Sequence, residues 1–508
     1  MFKEYTRDAL IEHLSKKDFE VRDVRGKHMS IFKIIGQEAD ALGRECYVIG
    51  GFVRDIYLGL DSKDIDCVTV GSGIELAEHL KKRLGKHTYL STFRNFGTAQ
   101  LKHTEKDYRT GEIKEMLNVE FVGARKESYR TDSRKPVVED GTLQDDQNRR
   151  DLTINDLAIC LNAERFGELV DPFHGLDDLN DGICRTPLDP DITFSDDPLR
   201  MLRTIRFACR FDFRILPETF ESIAKNRERI KIISAERIIE ELNKIQMCNK
   251  PSKGWLLLQK CGLLHIIFPE LSALAGIESR EGRGHKDNFL HTLTVLDNVC
   301  RMEREQNRTP NLWLHWAAIF HDLGKAKAKL YDEKLGWTFH NHDFIGQRMV
   351  LPIMRRLKLP LGTEMKYVQK LVGLHMRPIH LADEGITDSA IRRVMFEAGN
   401  DTDDLMLLCE ADITSKIPEK VKRFLDNFKI VRQKMQGIQE KDDYRNWTPP
   451  IDGNEIMERY HLQPSKEVGI LREAQKNAIL DGECENTREA ALAFLDAKAK
   501  EIGIQNNL

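Results

Sequence analysis

What this 508-residue chain lacks narrows its role before any motif is considered. Its ten cysteines are scattered without one Cys-x-x-Cys spacing, which argues against a zinc ribbon and for a reducing compartment. No apolar run approaches the roughly 18 residues of a membrane-spanning helix, and the polar start Met1-Phe2-Lys3-Glu4-Tyr5 has no secretory pattern. We therefore expect a cytoplasmic protein with no membrane partner, and no protein partner is implied. A general excess of basic charge is also missing. The net charge is −4, so any nucleic-acid contact must come from local basic patches and must weaken with salt. With 41% apolar and 31% charged residues, the composition is ordinary for a globular protein of about three or four domains.

The most informative stretch is Tyr47-Val48-Ile49-Gly50-Gly51-Phe52-Val53-Arg54-Asp55, with Asp64-Ile65-Asp66 soon after. Residues 47–49 read as a short buried strand, Gly50-Gly51 as a turn and 52–58 as helical turns closed by Gly59. Paired glycines before a helix start let backbone approach a phosphate, and Arg54 adds a full positive charge. Asp64 and Asp66 fall two apart on the next strand, on one face, about 6.6 Å apart at Cα. Carboxylates so placed can hold two magnesium ions about 4 Å apart, as an in-line attack on phosphorus requires. An isolated Asp-x-Asp is more often a solvated acidic turn.

Gly-Gly-x-Val-Arg-Asp followed by Asp-x-Asp resembles the head of the tRNA nucleotidyltransferase and bacterial poly(A) polymerase family, within the DNA polymerase β superfamily. The resemblance implies a multidomain α+β chain. Residues 1–30 read as a short surface helix without chemistry, and 31–165 as a nucleotidyltransferase head with a small mixed sheet. A helical neck contacting RNA and nucleotide is expected over 166–274, an HD domain over 275–430 and a helical tail over 431–508.

Within the head, a helix is expected over 74–84 and strands over 89–93, 98–102 and 116–123. In the last, Leu117, Val119 and Phe121 face one way and Asn118, Glu120 and Val122 the other. Glu120 is thus either an exposed strand glutamate or a third carboxylate, and the resemblance favours the second. The basic stretch 124–136 reads as a solvated loop, which the resemblance links to the final adenosine addition. Residues 141–158 read as a turn and a helix carrying Arg149-Arg150-Asp151-Leu152-Thr153-Ile154-Asn155. Paired guanidinium forks suit a triphosphate, and an asparagine one turn on suits a ribose hydroxyl. This run is similar to the family's nucleotide-binding element, except that Asp156 stands where alanine usually follows. The run 171–179 resembles the family's head-to-neck connection.

A second strong signal is Ser195-Asp196-Asp197-Pro198-Leu199-Arg200-Met201-Leu202-Arg203-Thr204-Ile205-Arg206-Phe207. It reads as one helix begun by a Ser195 or Asp196 cap, with Leu199, Leu202, Ile205 and Cys209 on one stripe. Arg200, Arg203, Arg206 and Arg210 make another, without evident acidic partners, and should face phosphate. Asp197 and Arg200 share a face and can pair with the edge of cytosine or adenine. The match to the family's protein template is residue for residue. A further helix near 234–242 looks like neck scaffold.

Eight of the sixteen histidines fall between His285 and His380. His291 before a helix, His321-Asp322 at the end of a buried helix, and Asp412 make a ligand set for a divalent transition metal. The set resembles the HD phosphohydrolase superfamily, in which His342 and His375 stand where some members hold a second metal or a phosphate. Helices near 454–460, 466–480 and 487–500 resemble a tail that helps hold tRNA.

The resemblance as a whole implies template-independent addition of CCA to the 3′ end of tRNA from CTP and ATP. Asp64, Asp66 and Glu120 are then catalytic. Gly50, Gly51, Arg54, Arg149, Arg150, Asp151, Asn155, Asp197, Arg200 and Arg203 bind nucleotide. Magnesium belongs to Asp64 and Asp66, and a transition metal to His291, His321, Asp322 and Asp412. A poly(A) polymerase, a CC-adding or A-adding partial enzyme, and an HD phosphohydrolase with an RNA-binding head are the rivals. The absence of a long arginine-rich tail lowers the first.

Overall fold

The computed structural model describes residues 6–106, 113–130, 133–280, 283–383, 387–414, 417–441 and 447–504. It divides into two compact units, one of residues 1–245 and 256–266, the other of 246–255 and 267–508.

In the first unit a mixed sheet of seven strands has the spatial order Leu169–Val170, Ala158–Cys160, Cys46–Ile49, Asp64–Thr69, Ile113–Gly123, Thr98–Lys106, Thr88–Phe93. The Asp64–Thr69 and Ile113–Gly123 strands run parallel and the other neighbours antiparallel. Alternation sorts the side chains into two faces. Val48, Ile65, Cys67, Ala99, Leu101, Leu117, Val119 and Phe121 bury one face under the helices Ile31–Ala41, Gly51–Leu58 and Gly73–Leu84. Tyr47, Ile49, Val68, Ala158 and Cys160 build a smaller core on the other.

Residues before 30 are more than a surface helix. Thr6 caps the helix Arg7–Leu14, whose Leu10 and Leu14 are buried, and Phe19 packs edge-on against Phe32 and Phe52, with centroids 5.1 and 5.6 Å apart. The apolar positions looked like the stripe of a surface helix because their partners lie on elements remote in sequence. The basic stretch also differs from the expected loop: Arg125–Arg130 and Ser133–Asp140 pair as antiparallel strands. The side chains of 127–138, including Tyr129, Arg130, Arg134 and Lys135, lie outside the described residues.

Two expected helices are broken. Leu143–Asn148 ends before Arg149-Arg150, and Asn155 sits on the separate turn Thr153–Asn155. The run from Ser195 is two helices, Pro190–Asp196 and Leu199–Arg210, because Asp197 is extended between them (φ −131°, ψ 99°). Pro198 disfavours helical backbone in the residue before it, which fixes the break.

Two arginines of the second helix, Arg203 and Arg206, also depart from expectation, since they have acidic partners. Arg203 Nε lies 2.6 Å from Asp151, and Arg206 Nε 2.6 Å from Glu241 on the helix Ala235–Gln246. Asn155 Nδ2 donates to Asp151 Oδ1 at 2.9 Å, and Arg54 Nη1 donates to Asn155 Oδ1 at 2.5 Å. Arg54 further donates from Nε and Nη2 to Asp55 Oδ1 at 2.9 and 2.7 Å. Its guanidinium lies 5.1 and 4.8 Å from the Phe207 and Phe211 ring centroids. A buried charge is tolerated only when paired and hydrogen-bonded, so these contacts fix the sheet, the 149–155 turn and the Leu199–Arg210 helix together.

The second unit is helical. Asn288–Glu305, Leu312–Phe320, His342–Arg356, Thr363–Leu374 and Thr402–Asp412 surround a core that includes Trp316, Phe320 and Leu371. The expected division at 430 runs through the continuous helix Pro418–Lys441, whose turns give no chain break there. Gly453–Arg459, Lys466–Asp481 and Arg488–Glu501 share a small core of Ile451, Ile456, Leu471 and Leu495. No described helix is long and apolar enough to cross a membrane.

Burial alone would raise the Asp151 carboxyl, but Arg203, the Asn155 amide and Arg200 hold it down at about 2, against 3.8 unfolded. A depressed carboxyl adds stability that is present above the unfolded value and is lost as pH falls through the folded one. Asp151→Asn should therefore cost roughly 2 kcal/mol in urea unfolding at pH 7, with the gap closing between about pH 4 and pH 2. A gap independent of pH would show that the ion pair is not the source.

Candidate active site in the head and a candidate metal centre

Parallel pairing of Asp64–Thr69 with Ile113–Gly123 sets Asp66 opposite Glu120 and Asp64 opposite Asn118. All three carboxylates stand on the face away from the main core, Asp64 and Glu120 exposed and Asp66 half-buried. Burial pushes the Asp66 carboxyl up to about 6; Arg150 opposes this, and Asp64, Glu120 and Asp146 reinforce it. Glu120 is raised by burial and then by Asp64. Like charges gathered on one face fit a divalent cation.

Gly50 closes the site from the side. Its φ of 83° lies in the left-handed region, and a Cβ there would meet Arg150 Nη1 at 3.1 Å and Asp66 Oδ2 at 3.9 Å. Only glycine lets the strand turn into the helix Gly51–Leu58 so close to both charges. Gly51 is the first residue of that helix.

Asp146, which the motif reading passed over, organises the arginines. Its Oδ1 accepts from Arg149 Nε at 3.0 Å and its Oδ2 from Arg150 Nε and Nη2 at 3.1 and 3.0 Å. The signal was present in the sequence, since Asp146 lies three and four residues before the pair. Arg150 Nη1 also donates to the Asn155 carbonyl at 3.4 Å. Both carboxylate oxygens of Asp156 are buried without a hydrogen-bond partner, Arg150 Nε being 4.0 Å away. Burial raises that carboxyl far above its usual range.

The other expected nucleotide ligands divide. Arg54, Asp151, Asn155 and Arg203 are bonded to one another or to Asp55 within the first unit. Asp197 Oδ1 accepts from Leu199 N at 3.1 Å, just before the Leu199–Arg210 helix, and buried Arg200 donates from Nη1 to the Thr193 carbonyl at 3.3 Å. Asp197 and Arg200 thus flank one break between helices.

The second unit gathers imidazoles and carboxylates into two triads. His291, His321 and Asp412 form one and Asp322, His342 and His375 the other, with ligand atoms within 4.8 Å of one another in each. Among the described residues these are the groups of three that meet this closeness; the head carboxylates are spread more widely. His291 lies in the first turn of Asn288–Glu305, not before it, because Asp287 caps the helix.

Each imidazole is oriented through Nδ1. His321 faces the Ala318 carbonyl at 2.7 Å, His342 that of Phe339 at 2.9 Å and His375 that of Val372 at 2.7 Å, while His291 meets Thr414 Oγ1 at 2.9 Å. Fixing Nδ1 leaves Nε2 as the ligand atom. His291 Nε2 is 2.8 Å from Asp412 Oδ1, and His342 Nε2 is 3.4 Å from Asp322 Oδ1 and 3.3 Å from His375 Nε2. His321 Nε2 and Asp322 Oδ1 are buried with no hydrogen-bond partner, the condition of atoms suited to a cation. Gly324 makes room: a Cβ there would fall 2.0 Å from the His342 carbonyl oxygen. Burial lowers His321, but Asp322 and Asp412 overcome it and raise the imidazole to about 10, so metal must displace a proton. His315 stays outside, bonded to Glu303 Oε2 at 2.6 Å as a buried structural pair.

Comparison with known proteins matches three family models in order. The poly A polymerase head domain covers residues 46–185, the "RNA and SrmB- binding site of polymerase A" 212–274, and the HD domain 288–417. The head and HD assignments imply use of divalent metal. A multifunctional CCA protein of Nitrosococcus oceani is 30% identical over 377 residues, covering 72% of this chain and 84% of the relative. One from Neisseria meningitidis is 34% identical over 322 residues, covering 62% and 69%. In fold, the chain is similar to a Thermotoga maritima CCA-adding enzyme complexed with tRNA, with a TM-score of 0.57 at 22% identity over 92% of this chain and 95% of that one. The strand order, the carboxylate pair and this span of likeness agree: the chain belongs to the family of the multifunctional CCA proteins, tRNA nucleotidyltransferases with a poly(A)-polymerase-type head.

Proposed function

We propose that the chain adds CCA to the 3′ end of tRNA, without a nucleic-acid template, from CTP and ATP. The observation that carries this reading is the strand register that sets Asp66 beside Glu120, with Arg150 held against Gly50. The names of the relatives, and CCA-adding enzymes of this fold solved with tRNA, ATP or CTP, support it.

In this reading Asp64 and Asp66 would hold magnesium, with Glu120 as a third carboxylate beside them; when bound the metal would screen phosphate charge and ease loss of the 3′-hydroxyl proton to solvent. The 3′ oxygen forms its bond to the α-phosphorus while the bond from that phosphorus to the bridging oxygen breaks, and pyrophosphate leaves. Gly51 presents its backbone N–H to the triphosphate, Gly50, whose own N–H is bonded to the Leu157 carbonyl, lets the chain come close, and Arg149 and Arg150 turn part of their forks from Asp146 to its oxygens. Arg54, Asp151, Asn155 and Arg203 keep these groups in place. Asp197 and Arg200 select the base through their acceptors and donors. The head, neck, HD and tail divisions of the sequence serve as the units of this work, with Pro418–Lys441 joining the last two.

A second activity, metal-dependent phosphohydrolysis, is favoured by the convergence of four oriented imidazoles and two aspartates on the HD centre. His291, His321, Asp322 and Asp412 would hold a divalent transition metal, with His342 and His375 beside them.

The test supplies magnesium and a tRNA transcript lacking its last three nucleotides, and sizes the products. We expect growth by two with CTP alone and by three with CTP and ATP; a long adenosine ladder or a stop at CC would sink the reading. Asp64→Ala should abolish addition and leave hydrolysis of a phosphate ester intact, whereas His321→Ala should do the reverse. Loss of both in either variant would contradict separate sites. Gly50→Ala forces a strained φ and crowds Arg150, so it should lower stability by about 1–2 kcal/mol and raise KM for CTP at least tenfold. An unchanged KM would remove Arg150 from the triphosphate site.

A further inference from the structure

The face of the head sheet that bears Asp66 and Glu120 continues beyond them. Across the strands, Glu120 stands opposite Gln100, and Gln100 opposite Ser91. The row on one side runs Asp64, Asn118, Lys102, Tyr89, and the row on the other Val68, Val122, Thr98, Phe93. Directly opposed residues share a face, so Tyr89 and Phe93 stand on the side of the carboxylates. Their strand, Thr88–Phe93, is the edge of the sheet. Tyr89 is 59% and Phe93 48% exposed, and Phe96 in the following turn 70%.

An edge strand that displays aromatic rings invites a partner. The local charge says of which kind. In a chain of net charge −4, residues 86–104 include Lys86, Arg94 and Lys102 and no aspartate or glutamate. Rings interleaved with cations are the chemistry of single-stranded nucleic acid, whose bases stack and whose phosphates seek positive charge. The edge lies two strand spacings, about 10 Å, from the strand of Glu120, a span of roughly three stacked nucleotides.

We propose that this edge is a track for the single-stranded 3′ end of the RNA substrate, with Tyr89 and Phe93 stacking on its bases. Lys86, Arg94 and Lys102 meet the phosphates, and the terminal hydroxyl reaches the carboxylates. The proposal rests on the nucleotide-adding reading of the head, and its test separates the two.

Binding of full-length protein to a tRNA transcript lacking only its last nucleotide, whose 3′ end is unpaired over about three nucleotides, is measured by fluorescence anisotropy without nucleotide, beside KM for that tRNA and KM for CTP on the transcript lacking its last three. Tyr89→Ala and Phe93→Ala should each weaken tRNA binding about tenfold, with KM for CTP and the melting temperature unchanged. Tyr89→Trp should bind as the wild type does. Tyr89→Leu, which keeps apolar bulk on the strand without a ring, should fail like the alanine variant. Unchanged tRNA binding in the Tyr89→Ala/Phe93→Ala double variant overturns the track. So does loss of a dimer in the same variant without loss of RNA binding, which would assign the edge to a second copy. If the wild type extends no tRNA while the ring variants still lose binding, the nucleotide-adding reading fails and the track stands.

Discussion

Arginines buried without water must find carboxylates or amides, and in the first unit that requirement ties together segments far apart in sequence. Arg54 is satisfied by Asp55 and Asn155, Asn155 by Asp151, and Asp151 by Arg203. Arg150 and Arg149 share Asp146. Removing one member strands a charge in a medium of low polarity, which costs more than the pair contributes. The network therefore acts as one body, holding Arg150 beside Gly50 and Asp66 with little freedom to drift.

That rigidity matters because phosphoryl transfer asks little covalent chemistry of a protein and much positioning. The strand register supplies it for the carboxylates. Parallel pairing fixes Asp66 against Glu120, and a slip of one residue in either strand would send that strand's carboxylate into the apolar core. The same alternation that buries Val119 and Phe121 exposes Glu120, and it carries the open face on to Tyr89 and Phe93. In the second unit the equivalent constraint is the backbone carbonyl behind three of the four imidazoles. It leaves Nε2 of His321, His342 and His375 directed at shared carboxylates, with no choice of tautomer left to solvent.

The sequence by itself determined most strands of the head and the residues of the candidate sites. Alternation located the strands that carry Asp64, Asp66 and Glu120, and the glycine pair marked the turn at Gly50. The order of His291, His321, Asp322 and Asp412 marked the candidate metal centre. These were legible because strand period, turn chemistry and ligand type are local properties, written within a few residues. The tertiary structure alone decided the partners. Asp151 and Glu241 pair with Arg203 and Arg206 of what had looked like an open arginine stripe, Arg54 closes on Asn155, and the apolar residues before position 30 join the head core. Pairings across fifty to a hundred residues leave no periodic trace, because which carboxylate reaches which guanidinium depends on how the helices and the sheet pack.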